Sequence, residues 1–121
     1  MINVKDQVYA ALSQAFDNVN DLYPLSWENL PIVQYTEEAN NVVTKTDDKE
    51  QHAMLRYRID IWNTGSTSQL AVEVDNALAT LGLTRTECAD VPDPSNLRHK
   101  QMRYEGIIDV NSQQVYWTNN R

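Results

Sequence analysis

The chain has 121 residues, a net charge of −7 and 41% hydrophobic residues, which is enough for one domain with one core and too little for two. Binding a phosphate backbone needs clustered lysine and arginine, and no such cluster occurs; the acidic balance also disfavours docking on anionic membranes. No apolar run nears the roughly 20 residues of a membrane span, no secretory leader is expected from the N-terminal residues, and the single cysteine, Cys88, leaves no intramolecular disulfide and fits a reducing compartment such as bacterial cytoplasm.

Val4, Val8, Ala11, Leu12, Ala15, Phe16 and Val19 fall on one helical stripe. They predict a first helix capped by Asn3, with Asp6 in its first turn and an end before Asn18. Pro24 and Pro31 bound a loop with apolar anchors, and Ile32-Val33-Gln34-Tyr35 reads as a short strand. Residues 36–52 are polar, with Glu37, Glu38, Asp47, Asp48 and Glu50 against Lys45 and Lys49. They read as a long, acidic hairpin loop, either a solvated tip or, as loops of this length often are, functional.

From Met54 to Trp62 the residues alternate cleanly: Leu55, Tyr57, Ile59 and Ile61 to one side, Arg56, Arg58, Asp60 and Trp62 to the other. Asn63-Thr64-Gly65-Ser66 is a turn. Thr67 or Ser68 caps a second helix with the stripe Leu70, Val74, Ala77, Leu78 and Leu81, closed by Gly82. Residues 84–89 resume as a strand, and residues 91–95 form a proline-bounded turn. In residues 99–110, Met102, Tyr104, Gly106, Ile108 and Val110 share one face, while Gln101, Arg103, Glu105, Ile107 and Asp109 share the other. Val115-Tyr116-Trp117 is a last short strand, and residues 118–121 read as a frayed tail. The expected architecture is a single α+β domain: a two-layer sandwich, with an antiparallel sheet of about four strands and two helices packed on one face.

No pattern of reactive groups rises above background. His52 and His99 share no element with further ligands at metal-binding spacing and read as surface histidines. Cys88 reads as a buried strand cysteine. There is no Gly-x-Ser-x-Gly elbow and no glycine-rich phosphate loop. The expectation is therefore a protein that is not an enzyme and uses no cofactor or metal. The outward sheet face is the more informative region: Arg56, Arg58, Asp60, Trp62, Arg103, Glu105 and Ile107 interleave charge with large apolar groups, as protein interfaces do. The plainer alternative is a solvated face laced with cross-strand ion pairs.

The order of elements resembles a known family. An amphipathic helix leads into Leu30-Pro31-Ile32-Val33-Gln34-Tyr35, then a long polar segment, then Arg56-Tyr57-Arg58-Ile59-Asp60-Ile61-Trp62. A Ser/Thr-capped helix ending at Leu81-Gly82-Leu83 follows, and the Asp93-Pro94 turn leads to Lys100-Gln101-Met102-Arg103-Tyr104-Glu105-Gly106. Over nearly its whole length the chain resembles the tail terminator, or tail completion, proteins of long-tailed bacteriophages, a group that includes head-to-tail joining proteins. The resemblance implies a structural virion protein made in the bacterial cytoplasm and placed at the tail–neck junction. It implies a hexameric ring that caps the tail tube, touches the major tail tube protein and the neck or head completion proteins, and lets genomic DNA pass without binding it specifically. The segment holding Glu37, Glu38, Asp47, Asp48 and Glu50 is then expected to face the lumen or a neighbour. A head completion or neck adaptor-stopper protein is the nearest alternative. An acidic DNA mimic that inhibits a host nuclease is the alternative of another class.

Overall fold

A computed structural model describes the chain except for Tyr23, Leu25, Ser26, Asp48, Gln113, Gln114 and residues 118–121, and except for the side chains of Thr44 and residues 115–117. The elements run α1 (Lys5–Ser13), β1 (Val19–Asp21), β2 (Ile32–Thr46), β3 (Lys49–Asn63), α2 (Ser68–Ala79), β4 (Thr84–Val91), β5 (Arg98–Asp109) and β6 (Val115–Trp117). The α+β class is as expected. The sheet is larger than the expected four strands and is mixed. It has six strands in the order β1-β2-β3-β5-β4, with β6 also on β5, and β1 pairs β2 in parallel through Val19–Val33, Asn20–Gln34 and Asp21–Tyr35.

The apolar stripe of the first helix outlasts the helix itself. Helical pairing ends at Ser13, and Phe16, although buried, belongs to the turn that follows, where its N–H donates to the Leu12 carbonyl at 3.0 Å. Val19 belongs to β1. Periodicity reports which residues reach the core, and a turn can present Phe16 to it as well as a helix can. Asn3 lies one position before the cap, Val4, but its Oδ1 still accepts the Lys5 N–H at 3.1 Å. Thr67 is the cap of α2, without a side-chain cap bond. Gly82, at φ 81°, takes the left-handed conformation that ends the helical path after Leu81.

The main correction concerns residues 36–52, which are not a loop. They are the distal halves of β2 and β3, paired through Asn41–Met54, Val42–Ala53, Lys45–Glu50 and Thr46–Lys49. Only Asp47, at φ 52°, and its neighbour Asp48 separate the two strands. Positive φ at such a position suits a two-residue hairpin turn, whose twist matches that of the strands. The segment lacks apolar alternation because strand pairing here rests on main-chain hydrogen bonds, with little core to bury.

Both helices lie against one face of the sheet. Val8 and Leu12 from the first, with Val4 and Phe16 flanking it, and Ala71, Val74 and Leu78 from the second, join Leu55, Tyr57, Ile59, Ile61, Met102, Tyr104 and Ile108 in one buried cluster. Tyr57 and Tyr104 face each other across β3 and β5, and each sends its hydroxyl to a carboxylate at the rim. Tyr57 Oη donates to Glu37 Oε1 at 2.8 Å, and Tyr104 Oη donates to Asp75 Oδ1 at 2.9 Å. Burial first, and then these bonds, push both phenol pKa values far above the usual range. Among the described residues, no helix is long and apolar enough to cross a membrane.

Leu12 is fully buried beneath α1. Leu12→Ala is expected to lower the unfolding free energy by about 2–5 kcal/mol, transfer and cavity terms together, as read by urea denaturation. A loss under about 1 kcal/mol would mean that the helix is not clamped to the sheet as described.

Candidate functional site

Strand alternation brings all seven interface candidates onto the sheet face opposite the helices. Arg56 stands across from Glu105, Arg58 across from Arg103, and Ile107 beside Met54, while Asp60 and Trp62 continue along β3. Two different local environments result.

The first is an ion-paired strip. Arg58 and Arg103 are directly opposed like charges, an arrangement that destabilises a sheet unless a counter-charge intervenes. Glu38 supplies that charge. The register shifts between Glu37 and Ala39, so Glu38 is the extra residue of a β-bulge, a device that re-aims a side chain. Its carboxylate takes Arg103 Nε at 3.0 Å and Nη2 at 3.4 Å, with Arg58 Nη1 at 3.6 Å. On the far side, Arg103 Nη1 reaches Glu87 Oε2 at 3.0 Å, so one chain of charges crosses β2, β3, β5 and β4. Its bond to Glu38 first, and both carboxylates thereafter, raise the Arg103 pKa further. Arg56 closes on Glu105 at 2.7 Å and stays partly open to solvent.

The second is a closed polar cluster at the end of β3. Asp60, 2% exposed, accepts from Arg58 Nε at 2.9 Å, from Gln101 Nε2 at 3.2 Å and from His99 Nε2 at 2.8 Å. Trp62 stacks on His99 with ring centres 4.4 Å apart and donates its indole N–H to Asp93 at 3.2 Å, and Trp27 meets it edge-on at 5.1 Å. Trp62 is thus 8% exposed. A tryptophan on the outer face gains little from exposure, and Trp62 is covered by Trp27, His99 and Asp93 of the same chain. His99 is no surface histidine either, being held between Asp60 and Asp93, whose Oδ1 lies 3.8 Å from Nδ1. His52 is likewise mostly covered, with Nε2 3.7 Å from Asp109. Cys88, expected inside, is exposed on β4, the strand at the sheet's end.

The five acids of residues 36–52 do not gather into one surface. Glu37 turns to the helix side and accepts from Tyr57, Glu38 turns to the opposite face, and Glu50 pairs with the Met1 amine. Asp47 is at the turn, and Asp48 lies outside the described residues, as does the tail at 118–121. Glu38 as a charge clamp and Glu37 as a phenol acceptor were not foreseeable, because a bulge leaves no mark on hydrophobic periodicity.

Among the described residues, no group of three His, Cys, Asp or Glu side chains is placed to hold a metal ion. No protein-family model matches the sequence, and no curated protein matches it either.

Two outcomes follow from this geometry. Asp60→Ala strands Arg58 and His99 against a vacated site and should cost about 3–5 kcal/mol, with a change in Trp62 fluorescence; a loss below about 1 kcal/mol would show the cluster to be incidental. The Ser95 hydroxyl, the largest influence on Asp93, holds that carboxyl below the usual carboxylate range, helped by the Ser95 N–H, Trp62 and His99 and opposed by burial. A lowered folded-state pKa contributes stability that is complete above the ordinary value near 3.8 and lost as pH falls through the folded value. Urea midpoints should therefore fall with acid below about pH 4, and Asp93→Asn should flatten part of that fall; an unchanged acid limb would count against it.

Proposed function

We propose that the chain is a structural, non-catalytic subunit of a phage tail terminator or tail completion ring, placed in the virion between tail tube and neck. In this role it acts through fitted surfaces, contacting further copies of itself, the major tail tube protein and the neck or head completion proteins. DNA passes the ring without specific contact, and the net charge of −7 per copy suits that passage, since an acidic assembly repels phosphates.

The observation that carries the reading is the β2–β3 hairpin. Its strands are 15 residues each, and β3 pairs with β5 only as far as His52. Beyond that pairing, residues 45–51 outrun the rest of the sheet as a two-stranded projection with Lys45, Asp47 and Lys49 exposed. The unpaired strand edges of such a projection can serve an assembling subunit as a handle on a neighbour. The element order described above, which resembles that of tail terminators, points the same way. The DNA-mimic alternative is disfavoured by the sheet face, where Glu38, Glu87, Asp60 and Glu105 are each taken up by an arginine and offer no free row of phosphate-like charges.

Light scattering on the eluting protein, alone and with purified tail tubes, tests the proposal. A mass that is a ring multiple of 13.9 kDa, or incorporation at tube ends, is the expected result. A monomer at every concentration that also ignores tubes would overturn it. Arg56→Ala should weaken association while costing the fold about 1 kcal/mol, since its pair with Glu105 is partly open to solvent.

A further inference from the structure

Where α2 begins, the surface holds a hollow of about 300 Å³, walled by the start of the helix, the end of β4, the proline-bounded link after it and the first residues of β5. Thr67, the cap of α2, lines it. A capping threonine normally takes extended dihedral angles, from which its hydroxyl reaches the N–H two or three residues on. Thr67 stands at φ −100°, ψ 0°, and its hydroxyl makes no such bond. The residue is only 5% exposed, and its hydroxyl has no other hydrogen bond among the described residues. A hydroxyl so enclosed is ordinarily satisfied, and the hollow is the space from which a partner can reach it.

The other groups around the hollow decide the chemistry of that partner. The N-terminus of a helix carries partial positive charge and N–H groups without intrahelical acceptors. In α2 no acidic residue stands in the first turn to offset that charge, and Ser66 Oγ accepts only the Ser68 N–H, at 3.2 Å. Arg98 lines the hollow, is exposed and forms no ion pair among the described residues. Two carboxylates line it as well, and both have partners of their own. The Asp90 side chain is 80% exposed, with Oδ1 3.2 Å from Lys100 Nζ. Asp93 accepts from the Ser95 N–H at 3.0 Å and from the Trp62 indole, and His99 is held by Asp60. The surplus around the hollow is therefore of donors and positive charge. The net charge of −7 does not outweigh it, because charges more than roughly 8 Å away are largely screened at physiological ionic strength.

We propose that this hollow binds a phosphate group, with Arg98 as its charge partner, the Thr67 hydroxyl donating to one oxygen and the start of α2 supplying its partial positive charge. One copy holds the whole site, so the inference is independent of self-association. Val91, Pro92 and Leu97 complete the wall with apolar surface, against which the carbon chain of a phosphate ester can lie.

Titration calorimetry and thermal unfolding of the whole chain test it, with inorganic phosphate set against sodium chloride at equal ionic strength. Saturable binding to one site is expected, with a Tm that rises with phosphate concentration, as binding to the folded state requires, and does not rise with chloride. Thr67→Val keeps the volume and removes only a hydroxyl that the fold leaves unbonded. It should not lower the Tm measured without phosphate, and it should weaken phosphate binding on the order of tenfold. Arg98→Ala should weaken it at least as much. A Tm rise matched by chloride, or a phosphate affinity unchanged in either variant, overturns the site. Glycerol 3-phosphate separates the two sources of the group: binding tighter than that of inorganic phosphate assigns the site to an ester, and equal or weaker binding assigns it to the free ion.

Discussion

The register of β3 is the constraint on which the rest of the molecule depends. β3 is paired along its length with β2 on one side and, from His52 to Asn63, with β5 on the other. Its two-residue period sends Leu55, Tyr57, Ile59 and Ile61 under the helices and Arg56, Arg58, Asp60 and Trp62 to the opposite face. A slip of one residue would bury three charges in the core and expose its aliphatic face, so the register is strongly specified. The helices, the two tyrosine–carboxylate bonds and the charge strip all take their places from it.

The face away from the helices is polar but not loosely solvated. Two opposed arginines are tolerable only because a bulge delivers Glu38 to both, and a buried aspartate is tolerable only because Arg58, Gln101 and His99 all donate to it. These arrangements hold four strands in fixed relation without a second layer of helices. A rigid sheet of this kind is a suitable base for a projecting hairpin: an arm whose root moves freely loses affinity to the entropy of ordering it, and an arm braced at the root does not. Polar networks and projection thus share one preorganised sheet.

Legibility from sequence followed burial. Where one face meets the core, as in residues 54–62 and 99–110, alternation placed every side chain correctly, and the stripe at Leu70, Val74 and Leu78 located α2. Where little core is present, the pattern failed: residues 36–52 have the composition of a loop, yet pair as strands through main-chain bonds that composition does not record. β1 was missed because three residues are too few to show a period. Trp62 lies on the expected face, and its cover by Trp27 and His99 of the same chain comes from residues distant in sequence.

The sequence by itself therefore determined the α+β class, the two helices, the two long alternating strands and the set of residues on the outer sheet face, because hydrophobic periodicity is a local property and these elements bury a single face. Tertiary structure alone decided the parallel β1–β2 pair, the hairpin that outruns the sheet, the bulge that aims Glu38 and the closure of Trp62 over His99. Each of these depends on which residues from distant parts of the chain are brought opposite one another, and no local pattern encodes that pairing.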